Sequence, residues 1–162
     1  MQHQRFPPDD SREWLNRARS NLAIAQTGAQ GAYMEDLLFE AQQAAEKAIK
    51  AVLIEDGIAF PYTHDLEKLL VLLPLARQPI PEQVQQAPRL SSFAFATRYP
   101  DVVASITDEG FRDLLGVAEA VVRWAEDEIQ YHPLIAGSQT PLWPFASAAV
   151  WERPLVPRGR GN

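Results

Sequence analysis

Apolar residues recur every three or four positions in three long stretches of the chain, the spacing that gathers them on one face of an α-helix. The first stretch carries Trp14, Leu15, Ala18, Leu22 and Ala25, with Arg12, Arg17 and Arg19 on its other faces. Asp9, Asp10 and Ser11 precede it, each a good N-cap, and Gly28 and Gly31 end it. The second runs from about residue 32 to 56, with Met34, Leu37, Leu38, Ala41, Ala45, Ala48 and Val52 inward and Gly57 as its stop. Its many alanines predict a close helix–helix approach. The third repeats Phe111, Leu114, Leu115, Ala118, Val121, Val122, Ala125 and Ile129, with Thr107 or Asp108 at its cap.

Shorter elements lie between them. The pattern predicts a short helix over 65–73 that Pro74 ends, and a further helix from Pro81 towards Phe95 that Pro88 breaks or kinks. No segment alternates apolar and polar residues in a hairpin context, so no strand is expected. The fold class is therefore all-α, an antiparallel helical bundle of about five helices, drawn as two long antiparallel pairs with a shorter insert. Residues 9–131 form the domain. Residues 132–162 hold five of the 13 prolines and show no period, which predicts an extended or disordered tail.

Composition narrows the chemistry. The chain has 162 residues and no Cys, which excludes a disulfide framework, thiolate-bound metal and cysteine nucleophiles. A net charge of −6 argues against broad nucleic-acid binding. That acidity is uneven: residues 32–73 carry three Lys against eight acids and 108–131 two Arg against seven, whereas 74–107 is basic by one charge. No run reaches the roughly 18–20 apolar residues of a membrane span, and the start MQHQRFPPDD lacks an apolar signal core, so a soluble cytoplasmic protein is expected. Glu-x-x-His pairs, phosphate-binding Gly-rich loops and Gly-x-Ser-x-Gly turns are all absent, so neither metal nor cofactor is expected.

Four segments in order bear a family likeness: the helix Leu37-Leu38-Phe39-Glu40-Ala41-Gln42-Gln43-Ala44-Ala45-Glu46-Lys47-Ala48-Ile49-Lys50-Ala51, then Thr63-His64-Asp65-Leu66-Glu67-Lys68-Leu69-Leu70, then Thr97-Arg98-Tyr99-Pro100-Asp101, then the long closing helix. Over about residues 11–131 this order resembles the HEPN domain family. The resemblance implies a compact helical bundle, usually a homodimer, often paired with a minimal nucleotidyltransferase in a toxin–antitoxin-like module. Some members are metal-independent ribonucleases that use an Arg followed by four to six residues and a His. No such spacing exists here: residues 57–59 before His64 are Gly-Ile-Ala, residues 125–127 before His132 are Ala-Glu-Asp, and His3 has no Arg before it. The expectation is a non-catalytic nucleotide- or partner-binding protein with an ATP-like ligand. The alternatives are a metal-independent endoribonuclease with a non-standard site and a purely structural dimerisation module.

Candidate nucleotide-binding residues are Arg98, Tyr99, His64, Lys47 and Asp101. Arg98 can clamp a phosphate bidentately while Tyr99 stacks on a base or donates a hydrogen bond, or Arg98 can pair with a surface acid and Tyr99 plug the end of the bundle. Pro100 restricts Tyr99 to extended backbone. His64 can meet a phosphate at a helix start, or Thr63 or His64 can simply cap that helix beside Asp65 and Glu67. Lys47 and Lys50 can face a nucleotide, or lie on a solvated face with Glu46–Lys50 as an i, i+4 pair. Asp101 can orient Arg98 or cap the next segment.

Overall fold

The computed structural model describes residues 4–95 and 105–131, and every regular element among them is helical. The tail expected over 132–162 lies outside the described residues. Five α-helices follow one another: α1 (Ser11–Gln26), α2 (Met34–Glu55), α3 (Leu66–Val71), α4 (Glu82–Gln85) and α5 (Asp108–Tyr131). Two 3-10 segments, Leu75–Arg77 and Ala87–Phe95, fill the region between α3 and the end of the described first stretch.

The helix ends follow local chemistry. Asp10 sits in extended backbone and its carboxylate accepts the Arg12 N–H at 2.9 Å, which caps α1. At the far end of α2, Gly57 takes a φ of +66°. Its N–H donates to the Ile54 carbonyl at 2.9 Å, and the next N–H, of Ile58, donates to the Leu53 carbonyl at 2.8 Å. That pair of bonds is a Schellman stop, and only glycine enters its left-handed position without strain. The expected helix from Pro81 is shorter than its apolar pattern allows. It closes after one turn, and the chain continues as a 3-10 segment across Pro88, which has no N–H to give an α-helical ladder.

Helix α2 is the axis of the domain. Its Ala41, Ala44, Ala45, Ala48 and Ala51 are completely buried, so neighbouring backbones come close on more than one side. Leu38, Ile49, Val52 and Leu53 fill the gaps between them, each large aliphatic contributing about 1.5–3 kcal/mol when fully buried. Leu15, Ala18 and Ala25 of α1 and Leu114, Ala118, Val121, Trp124 and Ala125 of α5 join this core, with Leu66, Leu69, Val84, Leu90 and Phe93 from the segment between α2 and α5.

Side-chain bonds define the directions. Ser11 bonds Glu55 and Asn21 bonds Glu40, so α1 runs antiparallel to α2. Arg19 meets Glu126 and Gln26 meets Glu119, so α1 also runs antiparallel to α5. Helices α2 and α5 therefore run parallel, and Arg77 joins their C-terminal ends through Asp56 and Glu128. The described bundle thus has three long helices, where the sequence pattern suggested two antiparallel pairs. Prolines at 74, 79, 81 and 88 break the intervening chain into pieces too short to serve as a fourth long member.

Candidate functional site

The loop after α2 returns to that helix and builds a polar cluster on it. Asp65 caps α3, accepting from the N–H groups of Glu67 at 3.1 Å and Lys68 at 3.4 Å. Thr63 and His64, the expected caps, have other tasks. The Thr63 hydroxyl accepts the Asp65 N–H at 3.1 Å, and the Ser91 hydroxyl accepts the Leu66 N–H at 3.1 Å, which fixes the loop from both sides. The Asp carboxylate satisfies two free N–H groups of the first turn, so the imidazole one residue earlier turns towards α2.

His64 Nδ1 lies 3.0 Å from Glu46 Oε2. The same oxygen accepts from the Gln42 amide at 2.9 Å, while Glu46 Oε1 accepts from Lys50 Nζ at 2.7 Å. Gln42 also donates to the His64 carbonyl and Lys50 to the Thr63 carbonyl, each at 3.3 Å. Gln42, Glu46 and Lys50 are spaced i, i+4, i+8 along α2 and are all buried. The Lys50 ammonium further faces the rings of Phe60 at 5.3 Å and Trp14 at 5.9 Å, two aromatics that meet edge-on at 6.2 Å.

Burial opposes the charge on Glu46, yet the Lys50 ammonium, the Gln42 amide and the His64 ring outweigh it and hold the carboxyl below the usual carboxylate range. An ionised carboxylate only accepts, so the proton of this pair sits on Nδ1, and Nε2 becomes the nitrogen available to a ligand. The imidazole is about one-third exposed, and Tyr62 and Phe95 flank it edge-on at 5.6 and 6.0 Å. Both flanking rings reach solvent, Tyr62 almost fully.

The other sequence candidates distribute differently. Lys47 follows Glu46 by one residue, a rotation of about 100° on the helix, and its ammonium turns to α1, donating to Asn21 Oδ1 at 2.6 Å. It lines a groove with Pro8, Glu13, Trp14 and Arg17 and shares no bond with His64. Arg98, Tyr99 and Asp101 lie outside the described residues. The Glu46–Lys50 pair, read from sequence as one option for a solvated face, is buried, because the 60–64 loop and the Trp14 ring cover it.

Compared with protein families, the chain matches the HEPN domain over residues 11–128. The protein belongs to the HEPN domain family. Two solved structures agree. TT1696 from Thermus thermophilus is 31% identical, with a TM-score of 0.63 over 73% of this chain and 97% of that one. ST0689, an archaeal HEPN homologue, is 27% identical, with a TM-score of 0.57 over 74% of this chain and 98% of that one. Among curated proteins no sequence matches.

Within this HEPN domain, sequence reasoning named His64 but not the residues that hold it. Gln42, Glu46 and Lys50 form a polar line at i, i+4, i+8 beside the alanine and aliphatic positions of α2, and that spacing was the available signal. Among the described residues no group of His, Asp and Glu is arranged to hold a metal ion, and no helix is long and apolar enough to cross a membrane.

Proposed function

We propose that this HEPN domain is a non-catalytic component that binds a nucleotide and a protein partner, working as a homodimer with a minimal nucleotidyltransferase in a toxin–antitoxin-like pair. One observation carries the nucleotide part: an imidazole oriented by a buried carboxylate and flanked by two exposed aromatic rings. When the ring is protonated at both nitrogens, His64 Nε2 can donate to a phosphate oxygen, and Tyr62 and Phe95 offer faces for a base. Arg98 and Tyr99 follow Phe95 by three and four residues, so at most about 11 Å of chain separates Phe95 from the guanidinium-bearing residue. In this reading Arg98 clamps the phosphate, Tyr99 adds a stacking ring and Asp101 orients Arg98. The absent Arg-x4-6-His spacing supports binding without cleavage.

A thermal-shift titration with ATP tests it. The melting temperature should rise with ATP for the wild type and much less for Arg98→Ala and His64→Ala. No rise, or the same rise in both variants, overturns the reading. For the partner, the adjacent reading frame should encode the Gly-Ser and paired-Asp signature of a nucleotidyltransferase, and the two proteins should co-purify.

The Glu46–His64 dyad also favours a second reading. A carboxylate-held imidazole is the arrangement of a general base, and with Arg98 stabilising phosphorane charge it would serve a metal-independent endoribonuclease. Cleavage of RNA in the presence of EDTA, lost in both His64→Ala and Arg98→Ala, supports this; RNA left intact by the wild type removes it.

A further inference from the structure

The groove beneath Lys47 is separate from the His64 cluster, and its chemistry is different. It has a volume of about 340 Å³ and opens between the segment before α1, the first turns of α1 and the middle of α2. That volume lies within the range of small-molecule pockets. Trp14 and Pro8 form its apolar wall, and the Trp14 indole is held in place by its N–H donating to the Pro8 carbonyl at 2.8 Å.

Three charged side chains border the groove. Glu13 is already engaged: it accepts from Arg17 Nε at 3.0 Å, from the Phe6 N–H at 3.1 Å and from Arg5 at 3.4 Å. Arg17 uses only Nε for that bond, so both terminal nitrogens of its guanidinium have no partner among the described residues. Lys47 is the more telling group. Its half-buried ammonium has three donors and makes one hydrogen bond among the described residues, to Asn21, whose amide nitrogen is in turn taken by Glu40. Burial lowers its pKa despite the nearby Glu40 and Glu46 carboxylates. A half-buried ammonium left with unused donors beside an exposed guanidinium is complementary to an anion, and the apolar wall next to it is complementary to a flat ring.

We propose that this groove binds a small planar molecule bearing one phosphate or carboxylate, its ring against Trp14 and Pro8 and its anionic group on Lys47 and Arg17. Size and charge both select for it. A bare inorganic anion leaves the apolar wall wet, and a neutral ring leaves the Lys47 donors unfilled. The site is independent of His64, so it stands or falls apart from the nucleotide reading above.

Calorimetric titration of the full chain tests the proposal with phenyl phosphate and benzoate as probes, and with inorganic phosphate and benzyl alcohol as half-ligands. At least one probe should bind saturably and at least tenfold tighter than either half-ligand. Lys47→Met and Arg17→Gln should each weaken it tenfold or more, while His64→Ala should leave it unchanged. Arg17 is largely exposed, so Arg17→Gln keeps the test decisive even where Lys47→Met disturbs folding. Absence of saturation at millimolar probe, equal affinity for inorganic phosphate, or full affinity in Arg17→Gln overturns the proposal.

Discussion

His64 Nδ1 and Glu46 Oε2 stand 3.0 Å apart, and through this pair the loop after α2 is anchored on the middle of the helix it has just left. Glu46 serves two partners at once, since its second oxygen takes the Lys50 ammonium. The carboxylate is therefore the joint between the candidate ligand-binding imidazole and a buried lysine boxed by aromatic rings.

Removing that joint should be costly. Glu46→Gln keeps the shape but leaves the Lys50 ammonium buried without a counter-ion, a loss of about 3–5 kcal/mol for a broken buried pair. Urea denaturation should show a lower midpoint at unchanged slope. The double change Glu46→Leu with Lys50→Met should recover most of the loss, because both charges then leave the interior together. A wild-type midpoint for Glu46→Gln would mean that water reaches the pair.

The same carboxylate sets an acid limb. Its folded pKa lies below the unfolded value near 4.5, so the unfolded state binds the proton more readily. The contribution is complete above pH 4.5 and disappears as the pH falls through the depressed folded value. Stability measured against pH should therefore drop more steeply on the acid side in the wild type than in the Glu46→Leu, Lys50→Met double variant. Parallel acid limbs in the two proteins would contradict this.

Arg77 should not tolerate lysine. Its buried guanidinium donates to both Asp56 oxygens at 2.9 and 2.6 Å and to Glu128 Oε2 at 2.6 Å, fastening α2 to α5. A single ammonium cannot span that fork, so Arg77→Lys should cost roughly 1.5–3 kcal/mol, the worth of one charged hydrogen bond. Thermal denaturation reads the effect; a melting temperature equal to that of the wild type would show that charge alone suffices.

Gly57 carries a backbone requirement. Its φ of +66° is the left-handed position of the α2 stop, where a Cβ costs about 1–2 kcal/mol. Gly57→Ala should lose that amount in chemical denaturation, with the ATP response and the phenyl phosphate affinity intact. An unchanged midpoint would mean that the α2 stop does not need the left-handed φ.

The long helices were legible because each is bounded by residues with a single physical meaning. Asp10 has a short carboxylate at a helix start, Gly57 lacks a Cβ at a helix end, and prolines 74, 81 and 88 remove N–H groups from the segment between. The pairing of these helices was less legible. Apolar stripes on α1, α2 and α5 say that each helix is covered, but α2 carries buried alanines and aliphatics on several faces and accepts neighbours on more than one side. A parallel α2–α5 pair then satisfies the pattern as well as an antiparallel one.

The candidate site divides in the same way. His64 stood out in the sequence as an imidazole at a helix start beside Thr63 and Asp65, and Lys47 as a cation on a likeness-bearing helix. Which of them meets which partner depends on a rotation of about 100° between adjacent residues and on the cover laid over each face. The sequence by itself determined the three long helices, the Asp10 cap, the Gly57 stop, the acidic balance and the absence of thiol chemistry, because propensity, capping and composition are local properties. Only the tertiary structure decided that Glu46 and Lys50 are buried, that His64 is held by Glu46, and that Lys47 opens on a separate groove. An i, i+4 ion pair reads identically in water and in the interior; the Trp14 and Phe60 rings and the returning 60–64 loop, distant in sequence, supply the cover that distinguishes the two.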